Sequence, residues 1–358
     1  MKRHPLDILL VLCCAAMLLG GCSREQKIEI AVMTKLESGS IVGSSEVNAA
    51  KMCLEDHGTG QMEIVPIDDA WNPEKAKEAY REVQKRSIRF LITSHVSTCA
   101  LAIAEEINRD GVLTFVTGAT TDLLSKKDDY LLRNIPDVEE EQKGIADYIR
   151  GLPQKKLLIL RDTDNHGYTF PALQHFRNRL ARDRVAVVDI SMARLDLDAL
   201  EARLKREEFD LVYLLIGGYQ STAGSLAQLA KKLRPKAKIV YTPWMKTPTL
   251  LETAGSSIRD SVIPSHYPPR TESPAIRNYI ERYKKRFNYA PTFISLNVYT
   301  ALQILLEAIR AGNHTPDKVK AYVLKKGAFT TDFATVTFDP YGDTRANLHF
   351  ITDIAHEF

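Results

Sequence analysis

Four small hydroxyl residues, Thr93, Ser94, Ser97 and Thr98, crowd the stretch TSHVSTCA (residues 93–100), between an apolar run and a helical pattern. One hydroxyl is enough to cap a helix, a role worth about 1 kcal/mol. The surplus asks for a ligand. A helix start presents unpaired backbone N–H groups and the positive end of a dipole, so the chemistry on offer is anion binding. The paired acids Asp68 and Asp69, just before a Pro-started helix, could hold a metal or move protons, but a capping role is simpler. Other catalytic signals are missing. No G-x-S-x-G elbow, H-E-x-x-H, P-loop or G-x-G-x-x-G follows a strand-like run, and the nine histidines are scattered. The sequence therefore calls for no enzyme, no cofactor and no metal.

The elements that must position these residues alternate. KIEIAVMT, MEIVPID, IRFLIT and VLTFV read as strands, with helices between them, and the pattern restarts with KLLILRD, VAVVDI, DLVYLLIG and KIVYT. The runs are short and apolar on both faces, as in parallel sheets covered on both sides. Two such series predict an α/β protein of two doubly wound, parallel-sheet lobes, with the ligand between them beyond the carboxyl ends of the strands. Long helices and the closing strands ATVTFD and NLHFITDIA follow, and no low-complexity linker joins the lobes.

Bulk properties agree. The 358 residues are 44% hydrophobic and 26% charged, enough for two folded domains. With 48 basic and 45 acidic residues the net charge is +3, which gives no reason to expect nucleic acid. The basic head MKRH and the apolar run Ile8 to Gly21 suit a secretory signal and are too short for a typical span of about 20 residues. The run ends in LLGGC, which resembles the lipobox of bacterial lipoproteins. That resemblance makes residues 1–21 a removed signal, Cys22 the lipidated N-terminus and 22–27 a tether, so the protein is anchored to a membrane without spanning it. Ser23 after the cysteine would favour the outer membrane, where the cell has one. Cys53 and Cys99 remain, either as two buried thiols or as one bridge.

Six segments carry a wider resemblance. IDDAWNPEKAKEA, SHVSTCALAIAEEINRDGVLTFVTGATT, LLRNIPDVEEEQKGIADYI, LLIGGYQSTAGSLAQLAKKL, PTFISLNVYTALQILLEAIRAG and VTFDPYGD are similar, in order, to the type I periplasmic binding proteins of the branched-chain amino acid class, which feed ABC importers. The resemblance implies a first lobe over 28–135 plus about 267–328, and a second over 136–266 plus about 329–358. It also implies that Ser97 and Thr98 hold a ligand carboxylate, that Ala119 and Thr120 bind its α-amino and carboxylate groups, and that His166 and Tyr219 close over it from the second lobe. One departure stands out. Trp244 occupies the stretch where these proteins often place an acid for the ligand's ammonium, so either another acid serves, with Glu37 and Asp164 as candidates, or the ligand lacks an α-ammonium. With Trp71 it completes the pair of tryptophans; if both face the cleft, the ligand is flat, aromatic or bulky and apolar.

The expected function is that of a lipid-anchored, extracytoplasmic binding protein. It closes on a small-molecule ligand, an amino acid or related carboxylate, and presents it to an ABC permease. The rival is a lipoprotein of the same fold that binds a protein partner.

Overall fold

The structure, a computed structural model, describes residues 27–357 apart from 95, 181–184 and 346–347. Cys22, Ser23 and the signal lie outside the described residues. Strands β1 (Ile28–Thr34), β2 (Met62–Asp68), β3 (Phe90–Thr93), β4 (Leu113–Val116) and β5 (Leu131–Arg133) form a parallel sheet in the order β2-β1-β3-β4-β5. In β1, Ile30 and Val32 enter one core while Ala31 and Met33 enter another, all fully buried. A strand apolar at every position is explained by helices on both faces. Helices α1 (Ile41–His57), α2 (Pro73–Lys85) and α3 (Ser97–Asp110) supply the crossovers. Asn72 caps α2, its Oδ1 accepting from Glu74 and Lys75 N–H, with Pro73 in the first turn where no N–H is needed.

After α4 (Val138–Gly151) the second sheet gathers β6 (Leu157–Asp162), β7 (Val185–Ile190), β8 (Leu211–Leu215), β9 (Lys238–Tyr241) and β10 (Ser261–Ser265). Its order, β13-β10-β9-β8-β6-β7, repeats the first sheet's winding and adds β13 (His349–Ile351) antiparallel at the edge. The intervening helices are α5 (His166–Leu180), α6 (Leu197–Leu204), α7 (Gln220–Leu233) and α8 (Pro248–Ala254). The chain then returns to the first lobe as α9 (Pro274–Phe287), α10 (Ile294–Arg310), α11 (Pro316–Lys326) and the hairpin β11 (Ala328–Thr330) and β12 (Thr335–Thr337).

One expected boundary is corrected here. The second lobe was to resume near residue 329, but Phe329, Phe333, Val336 and Phe338 all pack into the first lobe's core beside Tyr279 and Tyr299. The last crossing therefore falls between Phe338 and β13. Cys53 and Cys99 are free, buried thiols, and burial raises both above the ordinary thiol range, which leaves them unreactive.

Candidate functional site: a closed cleft between the lobes

Parallel register aligns the strand ends. Thr34 pairs with Asp68 and Met33 with Thr93, so the loops after β1, β2, β3 and β4 leave from one edge of the first sheet. Asp162, Leu215 and Tyr241 end their strands along the facing edge of the second. Between the edges lies a narrow cavity, part of it open to solvent.

The hydroxyl cluster sits on the first-lobe wall, and none of it caps α3. The cap residue is Val96, with no side-chain capping bond. Ser97 Oγ accepts from Thr121 N–H at 3.3 Å, which ties the helix start to the TGATT turn. Ser94, Ser97 and Thr120 line the cavity, and the hydroxyls of Ser94 and Thr120 are buried without a partner. Ala119 is fully buried, and its neighbours Gly118 and Thr120 form the wall in its place. Thr98 stands beside the cavity against Gly167 of the second lobe. Arg133 braces this turn from below, donating from Nη1 to Thr121 O at 2.8 Å and from Nε to Asp343 Oδ1 at 2.7 Å.

The acid pair serves a turn. Ala70 and Trp71 both have left-handed backbones, with φ of 49° and 52°. Such residues carry strain unless their surroundings hold them. Asp68 Oδ1 accepts Ala70 N–H at 2.9 Å and Asp69 Oδ1 accepts Trp71 N–H at 3.0 Å. The turn throws the Trp71 indole over the cavity, where Nε1 donates to Ser94 O at 3.3 Å and the ring faces Gly218 of the other lobe. Among the described residues no group of three or more His, Cys, Asp or Glu could hold a metal ion.

The second-lobe wall is aromatic. Trp244 is 5% exposed and meets Tyr168 edge-on at 6.3 Å between ring centres. Tyr168 is fixed from behind, donating to Glu141 Oε1 at 2.7 Å, while Gln220 Nε2 donates to Trp244 O at 3.3 Å. Both tryptophans thus face the cleft, and among the described residues no charged side chain lines it. Four expectations are corrected. His166 is exposed and outside the wall; Tyr168, two residues on, takes its place because the helix turns His166 outward. Tyr219 is 45% exposed and outside the wall, which its neighbours Gly217 and Gln220 form. Glu37 pairs with Lys75 at the surface, and exposed Asp164 accepts Ala193 N–H at 2.8 Å; neither reaches the cavity.

The lobes are closed on each other. A methyl group on Gly167 would lie 3.1 Å from Thr98 Cγ2 and 3.3 Å from Thr98 N. His175 on α5 meets Asp122, after β4, at 2.8 Å across the cleft. This half-exposed pair is worth up to about 1 kcal/mol. His175→Ala is therefore expected to weaken ligand binding by no more than about fivefold. Calorimetric titration at low and high salt checks this, with the deficit shrinking as salt rises.

Residues 27–354 match the model of the periplasmic binding protein family. The Leu/Ile/Val-binding protein of Escherichia coli is 23% identical over 93% of this chain and 92% of its own length. The leucine-specific-binding protein of Salmonella typhimurium is 24% identical over 96% and 95%. Among solved structures, a leucine-binding protein of Thermotoga maritima superposes with a TM-score of 0.81 at 21% identity, covering 91% of this chain and 96% of that one. An ABC-transporter solute-binding protein of Rhodopseudomonas palustris, solved with 3,4-dihydroxybenzoic acid, also reaches 0.81, at 19% identity over 91% and 92%. These relatives bind solutes and are not enzymes, and neither is this chain. The family match over nearly the whole described body, and two parallel-stranded lobes meeting over a cavity, identify the chain as a member of the periplasmic binding protein family, with the type I fold.

Proposed function

We propose that the protein is a lipid-anchored, extracytoplasmic solute-binding protein that closes on an amino acid or related small carboxylate and delivers it to an ABC importer. The observation that carries this reading is the uncapped start of α3, facing a closed cavity with the unpartnered Ser94 and Thr120 hydroxyls beside it. Backbone N–H groups and hydroxyls converging there suit a carboxylate, and Trp71, Tyr168 and Trp244 suit a flat or bulky apolar body. Relatives that take leucine or dihydroxybenzoate, both small carboxylates with apolar bodies, support the ligand class. The LLGGC motif supports anchorage through Cys22 at the periplasmic or cell-envelope face, with Ser23 pointing to the outer membrane. Closure supplies the mechanism: the first lobe holds the carboxylate, and the second lobe's rings favour the closed state by contacts that the open state lacks.

Thermal unfolding against a panel of amino acids and aromatic carboxylates tests this. A ligand at 100 times its dissociation constant should stabilise by about 2.7 kcal/mol. Ser97→Ala should lower affinity about tenfold, the worth of one lost hydrogen bond. Because Ser97 Oγ also accepts from Thr121 N–H, the variant should lose about 1 kcal/mol of stability as well, and affinity is compared on fully folded protein. No shift across the panel would turn the reading toward a protein partner.

A further inference from the structure

Among the described residues the cavity wall carries no charge, but an acid lies behind it. Glu46 on α1 is fully buried, and among the described residues no cationic side chain or backbone N–H hydrogen-bonds its carboxylate oxygens. It sits where three neighbouring strands end. The Thr34 hydroxyl after β1 and the Ser94 hydroxyl after β3 face it, and Asp69 after β2 is the charged group that acts on it. Thr34 Oγ1, Thr93 Oγ1 and Ser94 Oγ are buried too, with no partner outside this cluster. Five buried oxygens at one sheet edge with no partner beyond one another are more than a well-packed lobe leaves without a reason. Ser94 joins this cluster to the cavity, since it lines the floor under the Trp71 indole.

A cluster of acceptors with no cation among them is complementary to a donor-rich cation, and an ammonium group offers three donors. We propose that Glu46, with Ser94, supplies from the first lobe the counter-charge for an ammonium group on the ligand, so that the ligand is a zwitterion and not a simple carboxylate. This rests on the solute-binding reading above and names its substrate class. Without ligand, burial keeps the Glu46 carboxyl protonated to about pH 8, with Asp69 pushing the same way and the two hydroxyls opposing. When the ammonium arrives it keeps its own protons, and Glu46 releases its proton to solvent as the pair forms. Binding is thereby coupled to loss of one proton.

The test uses matched pairs that differ only in the amine: L-leucine with 4-methylpentanoate, and L-phenylalanine with 3-phenylpropanoate. Each is titrated calorimetrically at pH 7 in two buffers of different ionisation heat, into the wild type and Glu46→Gln. The amino acid of one pair is expected to bind the wild type about 100-fold more tightly than its partner, releasing close to one proton. In Glu46→Gln the preference and the proton release should both vanish, while the des-amino acid binds as before. Should the variant fold poorly, the wild type alone decides, because affinity for the amino acid should climb about tenfold per unit from pH 6 toward 8. A des-amino acid that binds equally well, or an amino acid that binds without releasing a proton, overturns the role of Glu46 and leaves the solute-binding reading standing. Failure of all four compounds with both proteins counts against both.

Discussion

Replacing Glu46 with Gln is expected to make the unliganded protein more stable at alkaline pH, by on the order of 4 kcal/mol at pH 9. The carboxyl titrates near 4.5 in the unfolded chain and about 8 in the fold, where burial is the largest cause of the shift. Between those values the native state holds a proton that the unfolded state has lost. Stability conferred by the raised value is therefore complete below about pH 4.5, falls by about 1.4 kcal/mol per unit, and is gone above about 8. Gln is neutral and of similar shape, so the variant lacks this slope. Asp162, pushed up to about 6 mainly by burial, adds a slope of the same sign at lower pH. It does so in both proteins and cancels from the difference. Urea unfolding at pH 5, 7 and 9 measures the effect. Parallel curves for the two proteins would mean that Glu46 is ionised in the fold and has found a donor.

Gly167→Leu is expected to weaken ligand binding by up to about 100-fold with little change in the stability of the ligand-free protein. The contact it disturbs lies between lobes, where even a methyl group meets Thr98 Cγ2 at 3.1 Å. A larger side chain has no room unless the lobes part. Overpacking costs about 1–3 kcal/mol, and here the cost falls on the closed state alone, because opening moves the side chain into solvent. The apparent affinity drops by the fraction of protein still able to close. Titration against the ligand found in the thermal panel, with small-angle scattering to follow compaction, checks both halves. Gly43 gives the contrast. A methyl there would lie 1.8 Å from the Lys35 carbonyl oxygen of the same lobe, so a bulky residue must lower stability in any lobe arrangement.

Several parts of the site were legible in the chain. TSHVSTCA and TGATT do bring Ser97 and Thr120 to one wall, because a strand end followed by a helix start is a local pattern. The Asp68–Asp69 pair reads in the sequence as a helix cap, but Asn72 caps α2 and the pair fixes the turn before it. Other parts were hidden by helix phase. His166, Gly167 and Tyr168 are consecutive, and only the docking of α5 turns Tyr168 inward and His166 out. The short strands β5 and β10 escaped because LLR and SVIPS are too brief to show a period. The hairpin at 328–337 reads equally well in either lobe until Phe329 and Phe338 find the aromatic cluster of the first. Glu46 left no trace, since a glutamate in a helical segment reads as solvated surface.

The sequence by itself determined the α/β alternation, the two lobes, the family, and the placing of hydroxyl-rich turns at strand ends. These rest on periodicity, caps and turn residues, which act over a few positions. Only the tertiary structure decided which rings wall the cleft, that Trp71 reaches across it, and that a buried acid lies beneath an uncharged floor. Those properties depend on how two sheet edges and the helices above them meet. Groups more than a hundred residues apart share that space, and no local pattern records it.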